Sequence, residues 1–246
     1  MSKLKDRVID EEARNICLYG PPGTGKTMFV LSGGSKVQIL DTDNGTLGGL
    51  RLNDGLRDQR VEADVLSFRD SNPQRPMVFS SVKQKLGEIA KSVESGSYPF
   101  EVLVVDSFTT LADSCQEYIM GNSSKLGEPP KIQHYLLINH ELGRLVSLIR
   151  SIKLVKIVVF HEETVDIEGR NVVRMSIPGQ SLKCKLPRYF HEIWHSRRRN
   201  APGGKVEYLI TTHGTEAVEA RTACELPETI DQSIGLEKVL EMMRKV

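Results

Sequence analysis

One stretch of this chain carries phosphate chemistry. Gly20-Pro21-Pro22-Gly23-Thr24-Gly25-Lys26-Thr27 fits the spacing G-x-x-x-x-G-K-[ST]. Glycines let the backbone curl until its N–H groups converge on phosphate oxygens, and the start of a helix adds partial positive charge. Lys26 brings a full charge to the outer phosphates, and the Thr27 hydroxyl is a ligand for Mg²⁺. The short apolar strand Asn15-Ile-Cys-Leu-Tyr19 precedes the loop, and Met28-Phe-Val-Leu31 opens a helix after it. That context separates a phosphate loop from a chance Gly/Pro turn. The expected ligands are ATP and Mg²⁺, with Gly20 to Thr27 and Met28 as the nucleotide-binding stretch.

Holding a nucleotide is not yet hydrolysis, which also needs a metal partner, a group that orients water and a group that senses the γ-phosphate. The chain offers a candidate for each at the end of an apolar strand. Asp106 closes Val102-Leu-Val-Val105 and is expected to share Mg²⁺ with Thr27; otherwise it caps the following helix. Asp41 and Asp43 follow Val37-Gln-Ile-Leu40, and a carboxylate there would orient the attacking water, Asp43 ahead of Asp41. Asp-x-Asp-Asn-Gly is equally good turn chemistry. His161 follows the apolar run Leu154 to Phe160. It would either hydrogen-bond the γ-phosphate and report its loss, or serve as a structural strand-end histidine.

A second chemistry is written in residues 181–199, where cations alternate with aromatics. Lys183, Lys185, Arg188, Arg197, Arg198 and Arg199 would track a phosphate backbone while Tyr189, Phe190 and Trp194 stack bases. The alternative is that Phe190, Ile193 and Trp194 are core of a strand Tyr189–His195, with the cations on a solvated face. Arg221, or one of Arg197–Arg199, is a candidate arginine finger toward a neighbouring subunit.

These side chains need a scaffold. Helical spacing of Val78, Val82, Leu86, Ile89, Ala90 and Val93 predicts a helix over 77–95. Further helices are expected over 110–120, over 132–152 with Leu136, Leu137, Leu142, Leu145, Val146 and Ile149 buried, and over 234–244. Strands are expected at 37–40, 61–68, 102–105, 154–160 and 206–212, with a hairpin turning at Glu168-Gly169. Unalternated apolar runs suit strands buried on both faces of a parallel sheet. Strands alternating with helices, then a strand-rich tail, give an α/β fold: a mainly parallel central sheet flanked by helices, with an antiparallel C-terminal extension. The chain reads as one domain, 1–246: a polar lead-in 1–14, a nucleotide-binding core 15–163, the extension 164–233 and a C-terminal helix 234–246.

At 246 residues the chain is long enough for one large, well-buried domain. Hydrophobic residues at 39% and charged residues at 26% are ordinary for a globular protein, and no apolar run approaches membrane-spanning length. A cytoplasmic location without membrane contact is expected, since the first residues lack the apolar core of a signal peptide. The four cysteines form no C-x-x-C pair, and buried, reduced thiols are expected, with Cys17 and Cys184 among apolar or strand-like neighbours. A net charge of +1 argues against an all-over nucleic-acid-binding surface but leaves room for a local basic patch.

The order of these motifs resembles the core of the RecA-like recombinases: phosphate loop, strand ending Asp-x-Asp, strand ending Val104-Val-Asp106-Ser107, strand ending in a polar sensor. Asp43 stands where that family carries a catalytic glutamate, and His161 where it usually has a glutamine. Gly179-Gln-Ser-Leu-Lys183 falls where it carries a second DNA-binding loop. Leu40-Asp-Thr-Asp-Asn-Gly45, Phe160-His161-Glu162 and Glu219-Ala-Arg221-Thr-Ala-Cys-Glu-Leu-Pro227 are similar to the short RecA-like ATPases of bacteriophages, single-strand annealing proteins of the Sak type. The resemblance spans about residues 15 to 230. It implies a RecA-like P-loop NTPase core and an ATPase that binds single-stranded DNA and promotes annealing or recombination. It also implies self-association into a ring or filament, with a single-strand-binding protein as a further partner. Two other readings stay open. One is an AAA-type remodelling or loader ATPase, whose loops favour Gly-Pro-Pro-Gly-Thr-Gly-Lys-Thr but which normally place Glu, not Ser107, after the metal-site Asp. The other is a nucleotide-switched adaptor with little turnover.

Overall fold

The computed structural model describes residues 14–46, 55–72, 74–123, 125–178 and 180–244. All but the last residue of the expected lead-in, together with Gly179 and the last two residues of the chain, lies outside them.

Strand β1 (Asn15–Gly20) is buried throughout and apolar on both faces. Cys17 and Tyr19 point into one core and Ile16 and Leu18 into another, as a central strand of a covered sheet requires. In chain order there follow α1 (Lys26–Leu31), β2 (Val37–Asp41), α2 (Arg57–Val61), β3 (Asp64–Ser67), α3 (Val78–Glu94), β4 (Val102–Asp106), α4 (Phe108–Asn122), α5 (Ile132–Ser151), β5 (Val155–Ile167), β6 (Arg170–Met175), α6 (Gln180–Lys185), β7 (Glu192–Asn200), β8 (Val206–Thr211), β9 (Thr229–Asp231) and α7 (Leu236–Met243). The strands form one sheet in the order β3-β2-β4-β5-β1-β7-β8-β9, with β6 paired to β5.

The six strands from β3 to β7 in this order run parallel, so their C-terminal ends share one edge. An open α/β sheet binds its ligand along that edge. The β4 strand is not beside β1; β5 lies between them. Beyond β7 the sheet turns antiparallel through β8 and β9. Helices α3, α4 and α5 cover one face, with Phe79, Leu86, Leu111, Cys115, Leu142 and Leu145 in its core. Helices α1 and α7 cover the other with Phe29, Val30, Leu236 and Val239, around Trp194.

Several expectations change. Strand β5 does not end at His161 but runs on to Ile167, because residues 162–167 pair antiparallel with β6. His161 is instead the last β5 residue in register with β1, opposite Gly20. On α5 the buried line is His134, Ile138, Leu142, Leu145, Val146 and Ile149, while Leu136 and Leu137 are exposed. Adjacent leucines sit 100° apart on a helix, and the stripe through Ile138 and Leu142 is the one that meets the sheet. Cys184 is exposed on α6; Cys17, Cys115 and Cys224 are buried. The strand expected at 189–195 begins only at Glu192, after a 3₁₀ turn over Leu186–Tyr189 that contains Pro187. Strand β7, from the segment assigned to the extension, lies beside β1 within the parallel sheet. Among the described residues no helix is long and apolar enough to cross a membrane.

Candidate nucleotide-binding and hydrolysis site

The phosphate loop leaves the sheet where β1 ends, flanked by β5 and β7. Gly20 is required there by close approach: a Cβ would stand 2.2 Å from the Ser196 carbonyl oxygen. Gly25 takes φ 85°, open to glycine at little cost, and the backbone turns directly into α1. That helix has only six residues, so loop amides and Lys26 supply most of the positive field and little comes from a macrodipole. Lys26 is buried, and its Nζ donates to the carbonyl oxygens of Gly20 (2.8 Å) and Pro21 (2.9 Å). Burial pushes its pKa down, and the carboxylates of Asp106, Glu162 and Asp43 oppose that shift.

The loop is buttressed from the far end of the chain. Ser196 of β7 donates to the Thr24 carbonyl at 2.9 Å. Gln232 Nε2 reaches the same carbonyl at 3.1 Å, Ser196 Oγ at 2.9 Å and the Leu209 carbonyl at 3.3 Å.

Thr27 Oγ1 donates to Asp106 Oδ2 at 2.7 Å, joining the loop to the end of β4 across the intervening strand. Asp106 is almost fully buried, and burial raises its pKa to about 6 against the opposing effects of Thr27 and Lys26. A hydroxyl and a buried carboxylate oxygen in contact are a hard, oxygen-only donor pair that fits Mg²⁺. Among the described residues no group of three or more His, Cys, Asp or Glu forms a metal cage. Mg²⁺ commonly takes its other ligands from substrate phosphates and water. The Asp106–Ser107 peptide bond is cis.

The two acidic residues at the C-terminal end of β2 divide their work. Asp41 Oδ1 accepts from the backbone N–H groups of Asp43 and Asn44, and Oδ2 from the Thr46 hydroxyl, so Asp41 shapes the turn. Asp43 faces the site. Its Oδ2 lies 3.0 Å from His161 Nε2, and its Oδ1 accepts from the Thr110 hydroxyl. Burial alone would raise the Asp43 carboxyl; hydrogen bonds from His161, Thr110 and Ser107 outweigh it and hold the pKa below the ordinary value. An ionised carboxylate engaged on both oxygens suits orienting a water better than removing its proton. The His161 backbone N–H donates to Thr109 Oγ1, so both threonines at the start of α4 support this contact.

The structure therefore brings Lys26, Thr27, Asp106, Asp43 and His161 to one edge of the sheet. It adds partners that residue types alone did not single out. Glu162 Oε2 lies 2.9 Å from His195 Nε2, linking β5 to β7 across the point where β1 departs. Thr110, Ser196 and Gln232 complete the set. Two of these had a visible signal: Glu162 follows His161 directly, and Thr110 stands three residues after the helix cap Ser107.

The basic stretch is not brought together. Phe190 and Trp194 are core, which removes them as base-stacking platforms. Lys183 pairs with Glu163 at 2.7 Å and Arg199 with Glu207 at 2.6 Å, while Arg197 donates to Thr211 Oγ1. Lys185, Arg188 and Arg198 are exposed. Arg221 is held within its own chain: its guanidinium donates to the carbonyls of Pro187 and Phe190.

Sheet order, glycine loop and the Thr27–Asp106 contact define a P-loop NTPase fold. The chain belongs to the AAA domain family, whose model matches residues 12–224. Membership places it among nucleotide-binding P-loop ATPases in general, which usually act with Mg²⁺. No curated protein matches the chain.

Proposed function

We propose that this protein is a Mg²⁺-dependent ATPase whose turnover is coupled to single-stranded DNA, and that it acts in annealing or recombination as an oligomer. The observation that carries the coupling is the Asp43–His161 contact and its continuation. His161 stands on β5, which runs on into the β5–β6 hairpin, where Glu163 accepts from Arg174 (3.3 Å) and Lys183 (2.7 Å). A change at the γ-phosphate felt by Asp43 and His161 thus has a packed route to β6 and α6.

In the proposed cycle Lys26 and the loop amides hold the triphosphate, and Thr27 and Asp106 hold Mg²⁺. The metal supplies charge neutralisation for the departing phosphate oxygens. Asp43 orients the attacking water, and His161 passes the loss of the γ-phosphate to the hairpin.

Single-stranded DNA and a phage source enter through the resemblance to the short phage ATPases. A groove of about 540 Å³ between α5 and α6 supports the DNA part, since it combines His140, Arg144 and Lys185 with the ring of Tyr189. Cations beside an aromatic face suit a nucleic-acid strand. A single-strand-binding protein is a further proposed partner.

A remodelling or loader ATPase is the second reading, favoured by the family description. Against it, Ser107 follows Asp106, and the described residues after the core add strands, the six-residue helix α6 and the eight-residue helix α7 rather than a helical lid. The deciding experiment is ATP hydrolysis with and without single-stranded DNA, with Lys26→Ala excluding contaminants. Stimulation by DNA supports the first reading. A rate indifferent to DNA at low salt defeats it and favours remodelling, and tight ATP binding with negligible turnover favours a nucleotide-switched adaptor.

A further inference from the structure

A cavity of about 320 Å³ opens beside the phosphate loop, and none of the steps above uses it. One wall is Gly25 and Met28, the loop's last glycine and the third residue of α1; the facing wall is Val206 and Tyr208 of β8. The two walls touch. A Cβ on Gly25 would stand 3.2 Å from the Tyr208 ring and 2.7 Å from Gln232 Oε1, so the cavity is continuous with the phosphate cradle.

Val206 and Tyr208 alternate with a strand's period of two and point to the same side. Both are large and exposed, at 41% and 39% of their surface, so neither is consumed by the core. Their strand is nonetheless fixed, because Gln232 ties Leu209 and the loop residue Thr24 together. Arg60, on the rim, donates from Nε to the Met28 carbonyl at 3.0 Å, pinning the first turn of α1. The volume lies in the range of small-molecule pockets. A rigid aromatic face held against a phosphate loop is suited to stack a nucleobase.

We infer that this cavity seats the base of the bound nucleoside triphosphate, with the Tyr208 ring as its stacking face. The inference rests on the ATP-binding reading above and adds to it the residues that contact the base. The test is calorimetric titration with ATP and with inorganic tripolyphosphate, both with Mg²⁺, on wild type, Tyr208→Ala, Tyr208→Phe and Val206→Trp. Tripolyphosphate reports the loop alone and doubles as a check that each variant is folded. Tyr208→Ala is expected to weaken ATP about tenfold, the scale of an aromatic–base stack, and to leave tripolyphosphate within twofold. Tyr208→Phe keeps the ring and binds ATP like wild type, whereas Val206→Trp fills the cavity and weakens ATP selectively. Wild-type ATP affinity in both Tyr208→Ala and Val206→Trp overturns the assignment while the ATP reading stands. Equal loss of both ligands also overturns it, because the wall would then only support the loop. Wild-type protein that binds neither ligand overturns the ATP reading and this assignment with it.

Discussion

His161 Nε2 and Asp43 Oδ2 stand 3.0 Å apart, joining the middle of β5 to the turn after β2 across β4. Neither residue belongs to the phosphate loop, yet Asp43 stands near enough for its charge to act on Lys26. Thr110 holds the second oxygen of Asp43 from the start of α4. The carboxylate proposed to orient water is thereby tied to a strand that continues into the β5–β6 hairpin.

Asp43→Asn keeps the shape and one acceptor oxygen but removes the charge that aligns the water. ATP affinity is expected to stay within a few fold of wild type, and hydrolysis to fall by roughly 10²–10⁴-fold. Equilibrium binding and single-turnover hydrolysis measured on one preparation separate the two effects. Retained turnover would move the role to another carboxylate, with Glu162 the first to examine.

Removing the imidazole tests the relay rather than the chemistry. His161→Ala should leave basal hydrolysis measurable but insensitive to single-stranded DNA. His161→Gln, which restores a hydrogen-bonding group of similar reach, should recover DNA stimulation. If His161→Ala responds to DNA as wild type does, the signal does not pass through this contact.

The local parts of this site were legible in the sequence because each depends on neighbours in the chain. The phosphate loop is eight consecutive residues, and Asp106 terminates an apolar run that can only be a buried strand. The parts that were not legible depend on contacts made after folding. Gln232 meets Thr24 across 208 positions, and His195 meets Glu162 across 33. No spacing announces either. The Asp41–Asp43 choice was a matter of side-chain direction: Asp41 ends β2 and turns back onto the following loop, while Asp43 two residues on turns toward His161. The aromatic and basic stretch misled for the opposite reason. Alternation along β7 is a strand's own period, so Trp194 went to the core while further along Arg197 met the Thr211 hydroxyl and Arg199 met Glu207.

Asp106 carries a linkage between pH and stability. Its folded pKa, about 6, lies above the ordinary carboxylate value, so between roughly pH 4 and 6 the folded state binds more protons than the unfolded one. Stability therefore falls as pH rises through that window. Asp106→Asn, which removes this charge and still accepts from Thr27, should stabilise the Mg²⁺-free protein at pH 7.5 by about 3 kcal/mol and flatten its pH profile, while abolishing Mg²⁺-dependent turnover. Thermal melts from pH 4 to 8 with chelator present read the first effect. An unchanged profile would show that Asp106 ionises normally in the folded protein.

The α5–α6 groove makes a prediction about salt. Arg144→Glu with Lys185→Glu should weaken single-stranded DNA at least tenfold at low salt and leave ATP affinity unchanged. If both side chains contact phosphates, losing them lowers the slope of log K against log salt by about 1.4. Fluorescence anisotropy of a labelled oligonucleotide across a salt series measures it. An unaltered slope would place the strand elsewhere, with the exposed Arg198 on β7 the next candidate.

Gln232 is the strongest test of whether the end of the sheet serves the loop. It is buried, and its amide donates to Ser196 Oγ, to the Thr24 carbonyl and to the Leu209 carbonyl. Truncation to alanine leaves a small cavity and strips one donor from a loop carbonyl that Ser196 still serves. The expected loss is about 2 kcal/mol, a fall in melting temperature of roughly 4–8 °C. A purely structural residue would do no more. Because Gln232 presses on Gly25, the loop's own geometry should loosen as well, so tripolyphosphate affinity should drop in the same variant at a temperature where it is fully folded. Gln232→Glu discriminates further, since a carboxylate of the same reach accepts where the amide donates and turns a bond to the Thr24 carbonyl into a repulsion. It should weaken the loop more than alanine does. Loss of stability without loss of tripolyphosphate binding in either variant would confine Gln232 to packing and leave the phosphate cradle self-supporting.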